Sequence, residues 1–487
     1  MFFFREKVII RNREAHTISR KHIDPDALQV LYRLSHAGFT AYLVGWGVRD
    51  LLLGRQPKDF DISTDAHPSQ IRKLFRNCYL VGRRFRLAHV VFGRKVIEVS
   101  TFRKPPQADE ADESAPGSLY QQEDNTFGTP EEDAKRRDFT VNGLFYDIRT
   151  FSVIDYVGGL RDLDRRTLRS IGDPNIRFRE DPVRMMRAVR FAARLGLSMD
   201  WNCRRALRRH HGEIQQSSTP RLQEEIMRLF GHTCSATTFQ LLWEHRLMSV
   251  LLPEIHAYVE KSGGARSPLF RHLAAFDQDA QHAASSNGLR MAVLLAPLYR
   301  AQLNAHGTSH ARAQGHEVAR TILDPIANRM TLPRQTYHTT CMLLDGLQRF
   351  EEFTHRSRRL RMAQHELFPE ALALRRIEMA ASGESPVALR EWEELAEQAA
   401  QQPPATSAAA ADTTGDLPSD ASATPHASDE ASTGDDSPSS PRAHQRRRPR
   451  RRQGRRRDAT GLAPNALPTG GNAIPSGGDA DRPADAG

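Results

Sequence analysis

Apolar residues recur at helical spacing over 27–38, where Ala27, Leu28, Val30, Leu31 and Leu34 predict a helix. Ala41-Tyr42-Leu43-Val44 is a short apolar run stopped by glycine and predicts a strand. Val48 to Leu53 returns to helical spacing and stops at Gly54. Phe60-Asp61-Ile62 predicts a second strand, and Pro68 to Asn77 a helix with proline in its first turn. Val90-Val91-Phe92 and Val96-Ile97-Glu98-Val99 predict a hairpin about Gly93. Residues 104–128 are polar, with Pro, Gly, Ser and acids, and predict a mobile loop. After about residue 180 strand signals disappear and helical spacing dominates to about 400. The pattern is that of a small α/β head followed by a long all-α body.

A chain of 487 residues has room for about three domains. Composition divides it further. Lys and Arg number 69 and Asp and Glu 59, a net charge of +10. Residues 401–487 carry 11 Arg and 11 acids, so residues 1–400, with 58 basic against 48 acidic residues, hold the whole excess. A basic folded body points to an anionic partner such as nucleic acid or an acidic membrane surface. Residues 401–487 are Ala, Pro, Ser, Thr, Gly and Asp with almost no large apolar side chains, and are expected to be disordered. Their charges are segregated. An acidic stretch, Asp412 to Asp436, precedes an arginine-rich block over 442–457. Arg446, Arg447, Arg448, Arg450, Arg451 and Arg452 in that block are candidates for RNA binding; another anionic partner, such as an acidic lipid, is the alternative.

Other classes fall away. No apolar run approaches the ~18–20 residues of a membrane-spanning helix. The start, Met1-Phe2-Phe3-Phe4-Arg5, lacks a signal peptide's apolar region and cleavage site. Cys78, Cys203, Cys234 and Cys341 lie far apart without zinc spacing, which suits free thiols in a reducing cytoplasm. There is no Walker loop and no histidine–aspartate metal pattern.

The chemistry concentrates in the head. A glycine turn at Gly45 and Gly47 opens a helix whose first turn carries Arg49, and Lys58-Asp59-Phe60-Asp61 follows. Side chains at i and i+2 of a strand share a face, so Asp59 and Asp61 are expected to project together. Two adjacent carboxylates need a cation, and Mg²⁺ takes carboxylate oxygens together with phosphate oxygens. Alone, Asp-x-Asp is what many solvated turns carry; the ordered combination is more specific. Arg136-Arg137-Asp138-Phe139-Thr140 offers Arg137 as a nucleotide contact and Asp138 as a third carboxylate, with Glu98 on a nearby strand as its rival. Glu180-Asp181-Pro182 opens a helix along which Arg184, Arg187 and Arg190 form an oblique stripe. Asp181 can accept from an exocyclic amine and Arg184 can donate to ring nitrogens, so the pair can read a base edge.

Leu43-Val44-Gly45-Trp46-Gly47-Val48-Arg49-Asp50, Lys58-Asp59-Phe60-Asp61, Arg136-Arg137-Asp138-Phe139-Thr140, Asp155-Tyr156-Val157-Gly158-Gly159 and Glu180-Asp181-Pro182-Val183-Arg184 resemble the motifs of class II nucleotidyltransferases. This family, within the polymerase-β-like superfamily, holds CCA-adding tRNA nucleotidyltransferases and bacterial poly(A) polymerases. Leu80 to Val90, Ile97 to Arg103 and the arginine-rich tail resemble the poly(A) polymerase branch. The resemblance implies a polymerase-β-like head and an all-α neck, body and tail. The expected boundaries are an N-terminal extension 1–25, a catalytic head 26–160, a neck 161–235, a body 236–400 and a disordered tail 401–487. It implies Mg²⁺ on Asp59 and Asp61, with Asp138 among the catalytic carboxylates. Arg49 and Arg137 would hold phosphate and sugar, Asp181 and Arg184 would pair with the base, and Arg187 and Arg190 would line the nucleotide site. Gly158-Gly159 matches a flexible joint between head and neck. The implied activity is template-independent addition of AMP from ATP to RNA 3′ ends, in the cytoplasm, with the RNA chaperone Hfq and RNA-decay enzymes as partners. CCA addition to tRNA and an RNA-binding protein with a silent head are the alternatives. The chain departs from the family at Trp46, where the pattern has a second glycine lying against the triphosphate.

Overall fold

The computed structural model describes residues 7–82, 87–104, 127–279, 284–306 and 311–401. The chain divides into two units, Met1–Ala408 and Ala409–Gly487, and the described residues all belong to the first. The arginine block (Arg446 to Arg452 included), most of the expected loop 104–128 and Arg83 to Arg86 lie outside them.

The head opens with strand β1 (Ile9–Arg11), helix α1 (Pro25–His36), β2 (Ala41–Val44), α2 (Trp46–Leu52), β3 (Asp61–Thr64), α3 (Pro68–Leu74), β4 (Cys78–Val81), β5 (Leu87–Phe92) and β6 (Lys95–Thr101). It continues with α4 (Pro130–Arg136), β7 (Leu144–Asp147), β8 (Ser152–Asp155), α5 (Gly159–Asp164) and β9 (Thr167–Leu168). Eight strands form one sheet in the order β1-β8-β7-β2-β3-β6-β5-β4, antiparallel except for the pair β3/β6.

The period of two along β2 sorts its side chains between two cores. Leu43 enters the large core that runs from Ile18 through the helical body to Leu395. Tyr42 and Val44 enter a small cluster with Phe102, Phe145 and Ile154 on the opposite face. Burial on both faces also hid two strands from the sequence pattern. Every residue of β7 and β8 is buried, so neither shows polar–apolar alternation. The N-terminal extension expected over 1–25 is not separate from the head, because Ile9–Arg11 pairs with Val153–Asp155 as an edge strand.

The helical part comprises α6 (Pro174–Glu180), α7 (Val183–Leu195), the short strand β10 (Ser198–Met199), α8 (Trp201–His210), α9 (Thr219–Leu229), α10 (Ser235–Glu244), α11 (Leu247–Leu251), α12 (Pro253–Lys261) and α13 (Pro268–Gln278). It ends with α14 (Asn287–His306), α15 (Ala311–Met330), α16 (Arg334–Glu352), α17 (Arg356–Ala363), α18 (Phe368–Ser382) and α19 (Arg390–Gln401). Helix α7 packs on α9 and α10, α10 on α13, and α13 on α14 and α18. Among the described residues no helix is long and apolar enough to cross a membrane.

The expected joint at Gly158-Gly159 is tightly built. Asp155 caps α5, accepting from the amides of Val157, Gly159 and Leu160. A Cβ at Gly159 would lie 2.1 Å from the Thr140 carbonyl oxygen, so glycine serves a close approach here.

Candidate functional site

The acidic edge of the site is set by sheet register. Ile62 pairs with Val99 in the parallel pair β3/β6, which places Asp61 beside Glu98 on one face. Strand β3 begins at Asp61, so Asp59 lies in the extended lead-in rather than on the strand and is exposed. Among the described residues neither Asp59 nor Asp61 has a hydrogen-bond or ion-pair partner. Burial, then the negative charge of Glu98, pushes the Asp61 carboxyl up to about 6; Arg137 opposes the shift and Asp59 adds to it. No cluster of three or more ligating side chains is preassembled among the described residues. The uncompensated charge still fits a divalent cation. Mg²⁺ needs one or two protein carboxylates and completes its shell with water and phosphate. Asp59 and Asp61, with Glu98 alongside, could hold it.

Asp138, expected among the catalytic carboxylates, is fully engaged by protein donors. Its Oδ2 accepts from Nε and Nη2 of Arg187 at 2.9 and 2.6 Å, and its Oδ1 from the Phe139 amide and Asn142 Nδ2. These charge-assisted bonds outweigh burial and hold its carboxyl down at about 2. The sheet register thus brings Glu98 to Asp61, while Asp138 is engaged by Arg187.

Arg49, expected at the phosphates, is 0% exposed. Its Nε and Nη2 donate to Asp50 Oδ1 and its Nη1 to Asn142 Oδ1. Asp50 Oδ2 in turn accepts from Arg194 at 2.8 Å. Arg49, Asp50, Asn142, Asp138, Arg187 and Arg194 form one network tying α2 and the turn at 140–142 to α7. In this arrangement all three guanidinium nitrogens of Arg49 are bonded to protein oxygens.

Arg137 sits at the mouth. Asp133 accepts from its Nε and Nη2, and its Nη2 reaches Ser63 Oγ at 3.4 Å. Its guanidinium explains the first glycine of the turn. Gly45 has φ +66°, and a Cβ there would meet Arg137 Nη1 at 2.9 Å. Gly47 differs, since a Cβ would find only ordinary contacts at 3.6 Å.

Helix α7 carries the arginine stripe. Arg184, Arg187 and Arg137 line a cleft of about 380 Å³ together with Asp138, Asp181 and Arg221. Asp181 Oδ2 accepts from Arg221 at 2.9 Å, while its buried Oδ1 has no partner. Arg184 donates to Glu180 Oε2 at 3.2 Å, with its Nε 3.9 Å from Asp181. Arg190 leaves the cleft; its Nε donates to Glu225 at 2.6 Å and it lines a second chamber of about 560 Å³ with Asp59. Trp46 lines both. Its indole meets Phe191 edge-to-face at 5.4 Å and 80°, so the ring lies against α7 while the arginine cleft beside it stays open. A third cavity, about 590 Å³ between α16, α17 and α18, contains none of the expected residues.

Residues 41–169 match the family described as "Poly A polymerase head domain". Over those residues the chain is similar to poly(A) polymerase heads. Residues 196–259 match a second family, described as "Probable RNA and SrmB- binding site of polymerase A". Poly(A) polymerase I of Escherichia coli is 49% identical over 272 residues, which are 55% of this chain and 58% of that protein. The CCA-adding enzyme of Lactobacillus helveticus is 36% identical over 222 residues, 45% of this chain and 53% of that one. The chain thus spans a little over half the length of the curated relatives it matches. A crystal structure of the Bacillus stearothermophilus CCA-adding enzyme in complex with CTP aligns over 78% of this chain and 82% of that one, with 27% identity and a TM-score of 0.56.

Sequence reasoning missed several partners. Asn142, Arg221 and Glu225 join the site across 93, 40 and 35 residues of chain, separations that no local spacing reveals. Arg194 was within reach, because it continues the series 184, 187, 190 by one more helical turn.

Proposed function

We propose that the chain adds AMP from ATP to RNA 3′ ends without a nucleic-acid template. The observation that carries this is the pairing of an uncompensated carboxylate edge, Asp59 and Asp61, with an arginine-lined cleft in which Asp181 keeps a free acceptor. The free Oδ1 suits the exocyclic amine of adenine, and Arg184, on leaving Glu180, suits its ring nitrogens. Arg137 and Arg187 supply guanidinium donors for phosphate and sugar, with Asp133 and Asp138 fixing their planes. The RNA 3′ oxygen bonds to the α-phosphorus, the bond from that phosphorus to its bridging oxygen breaks, and pyrophosphate leaves. Mg²⁺ held by Asp59 and Asp61 would neutralise charge on the attacking and leaving oxygens. Contact with Hfq, delivery of the tailed RNA to decay enzymes and a cytoplasmic location belong to the same reading through the family resemblance.

CCA addition is the competing reading, favoured by the likeness to the Lactobacillus and Bacillus enzymes. The higher identity to poly(A) polymerase I, 49% against 36%, favours AMP alone. The two separate on substrates. Purified protein with Mg²⁺ and a single-stranded RNA is expected to build a ladder from ATP and none from CTP. Completion of a tRNA lacking its CCA end, with no ladder on other RNA, would overturn the proposal. Binding of RNA without use of either nucleotide would point to the silent head.

A further inference from the structure

Trp46, the departure from the family pattern, stands with Glu224 and Arg228 in the wall shared by two compartments. The smaller holds the base-reading pair Asp181 and Arg184 and lacks Asp59; the larger holds Asp59 and lacks that pair. Nucleotidyl transfer brings two substrates to one carboxylate edge. The incoming nucleotide accounts for the smaller compartment and leaves the larger, at 560 Å³ within the range of small-ligand sites. Arg190, Arg228, Arg290 and His232 line it, against Asp59 and Glu224. The Arg190 side chain is only 4% exposed, and its Nη2 has no partner. A buried guanidinium with an open donor is unfavourable until an acceptor, such as a phosphate oxygen, reaches it.

Resting on the nucleotidyl-transfer reading, we infer that the larger chamber takes the 3′-terminal nucleotide of a single-stranded RNA, with Trp46 against its base and Arg190 Nη2 on its phosphate. The indole is held before any ligand arrives: Phe191 meets it edge-to-face, and the guanidinium carbons of Arg190 and Arg194 stand 5.5 and 5.8 Å from its ring centre. Among the described residues no aromatic ring is stacked parallel on it. A fixed aromatic surface takes a base with little ordering cost and little sequence preference. Glycine at 46 would remove that surface.

The test uses the full chain and an oligoadenylate ending in 3′-deoxyadenosine, which binds but cannot be extended. Titrated without ATP, it is expected to quench tryptophan fluorescence, and the quench is expected to vanish in Trp46→Phe. In steady state on an extendable oligoadenylate, Trp46→Gly is expected to raise KM for RNA roughly tenfold and to shift KM for ATP by much less. Replacing the terminal base of that RNA by an abasic site is expected to cost the natural chain about as much and Trp46→Gly nothing. An unchanged KM for RNA, or a rise confined to ATP, overturns the inference. Should the natural chain fail to use ATP at all, the nucleotidyl-transfer reading falls, and the quench alone decides: its loss in Trp46→Phe upholds the RNA contact and its persistence overturns it.

Discussion

The two ends of the site are charged in opposite senses and settled in opposite ways. At the sheet edge, Asp59 and Asp61 have no protein cation bonded to them, and Asp61 is pushed up to about 6, by burial and then by Glu98. On α7, by contrast, Arg184, Arg187, Arg190 and Arg194 each have a carboxylate within hydrogen-bonding distance: Glu180, Asp138, Glu225 and Asp50. The lesson is one of timing. The arginine end is assembled when the chain folds, because an unpaired buried guanidinium would cost too much. The carboxylate end is left uncompensated, and on the proposed reading its counter-charge would arrive with metal and substrate.

The contrast can be broken at several points. Asp61→Asn removes only a ligand for an incoming cation. We expect ATP incorporation to fall at least roughly 100-fold, with the thermal unfolding midpoint unchanged or raised. A large loss of folding in that variant would mean that Asp61 is structural. Asp138→Ala should behave conversely. It leaves the part-buried Arg187 without its partner and should destabilise by about 1–3 kcal/mol, read by chemical denaturation. Denaturation at the natural midpoint would show that the arginine end does not depend on its carboxylates.

Histidine 232 reports the field between the two ends. Burial first, then the positive charges of Arg194, Lys58 and Arg190, hold its imidazole down at about 4. The unfolded chain binds this proton nearer pH 6.5, so between about 6.5 and 4 it takes up more protons than the folded one. Stability contributed here is present above about pH 6.5 and is lost as pH falls toward 4. An NMR titration of His232 should give a midpoint near 4, and one near 6.5 would mean that neither burial nor the neighbouring cations disfavour its charged form. The smallest effect separates the two glycines. Gly45→Ala should cost about 1–3 kcal/mol, because φ is +66° and Arg137 occupies the space of a Cβ. Gly47→Ala should range from neutral to about 1 kcal/mol stabilising, as a helical residue with room for a methyl group.

Much of the site's inventory was legible because its members are close in sequence or regularly spaced. Gly45, Asp59, Asp61, Asp181 and the stripe on α7 all fall in short segments with a recognisable order. What the sequence could not carry was who bonds to whom. Asp138 was the expected third carboxylate and Glu98 its rival; the β3/β6 register sets Glu98 next to Asp61, and α7 delivers Arg187 to Asp138. Arg49 reads as a phosphate ligand in its motif, yet Asn142, 93 residues away, turns it inward. In the fold the exposed or half-exposed elements, α1 and the hairpin β5/β6, showed their periodicity, whereas β7 and β8, buried on both faces, had none to show.

On the proposed function the metal belongs to Asp59 and Asp61 while Asp138 belongs to Arg187. Counting bound Mn²⁺ by electron paramagnetic resonance, in the presence of a non-reacting ATP analogue, tests it most directly. Asp61→Asn should lose the bound ion, and Asp138→Asn, which keeps its shape and part of its hydrogen bonding, should retain it. Loss of the ion from Asp138→Asn, with its retention in Asp61→Asn, would contradict the assignment and return Asp138 to the metal.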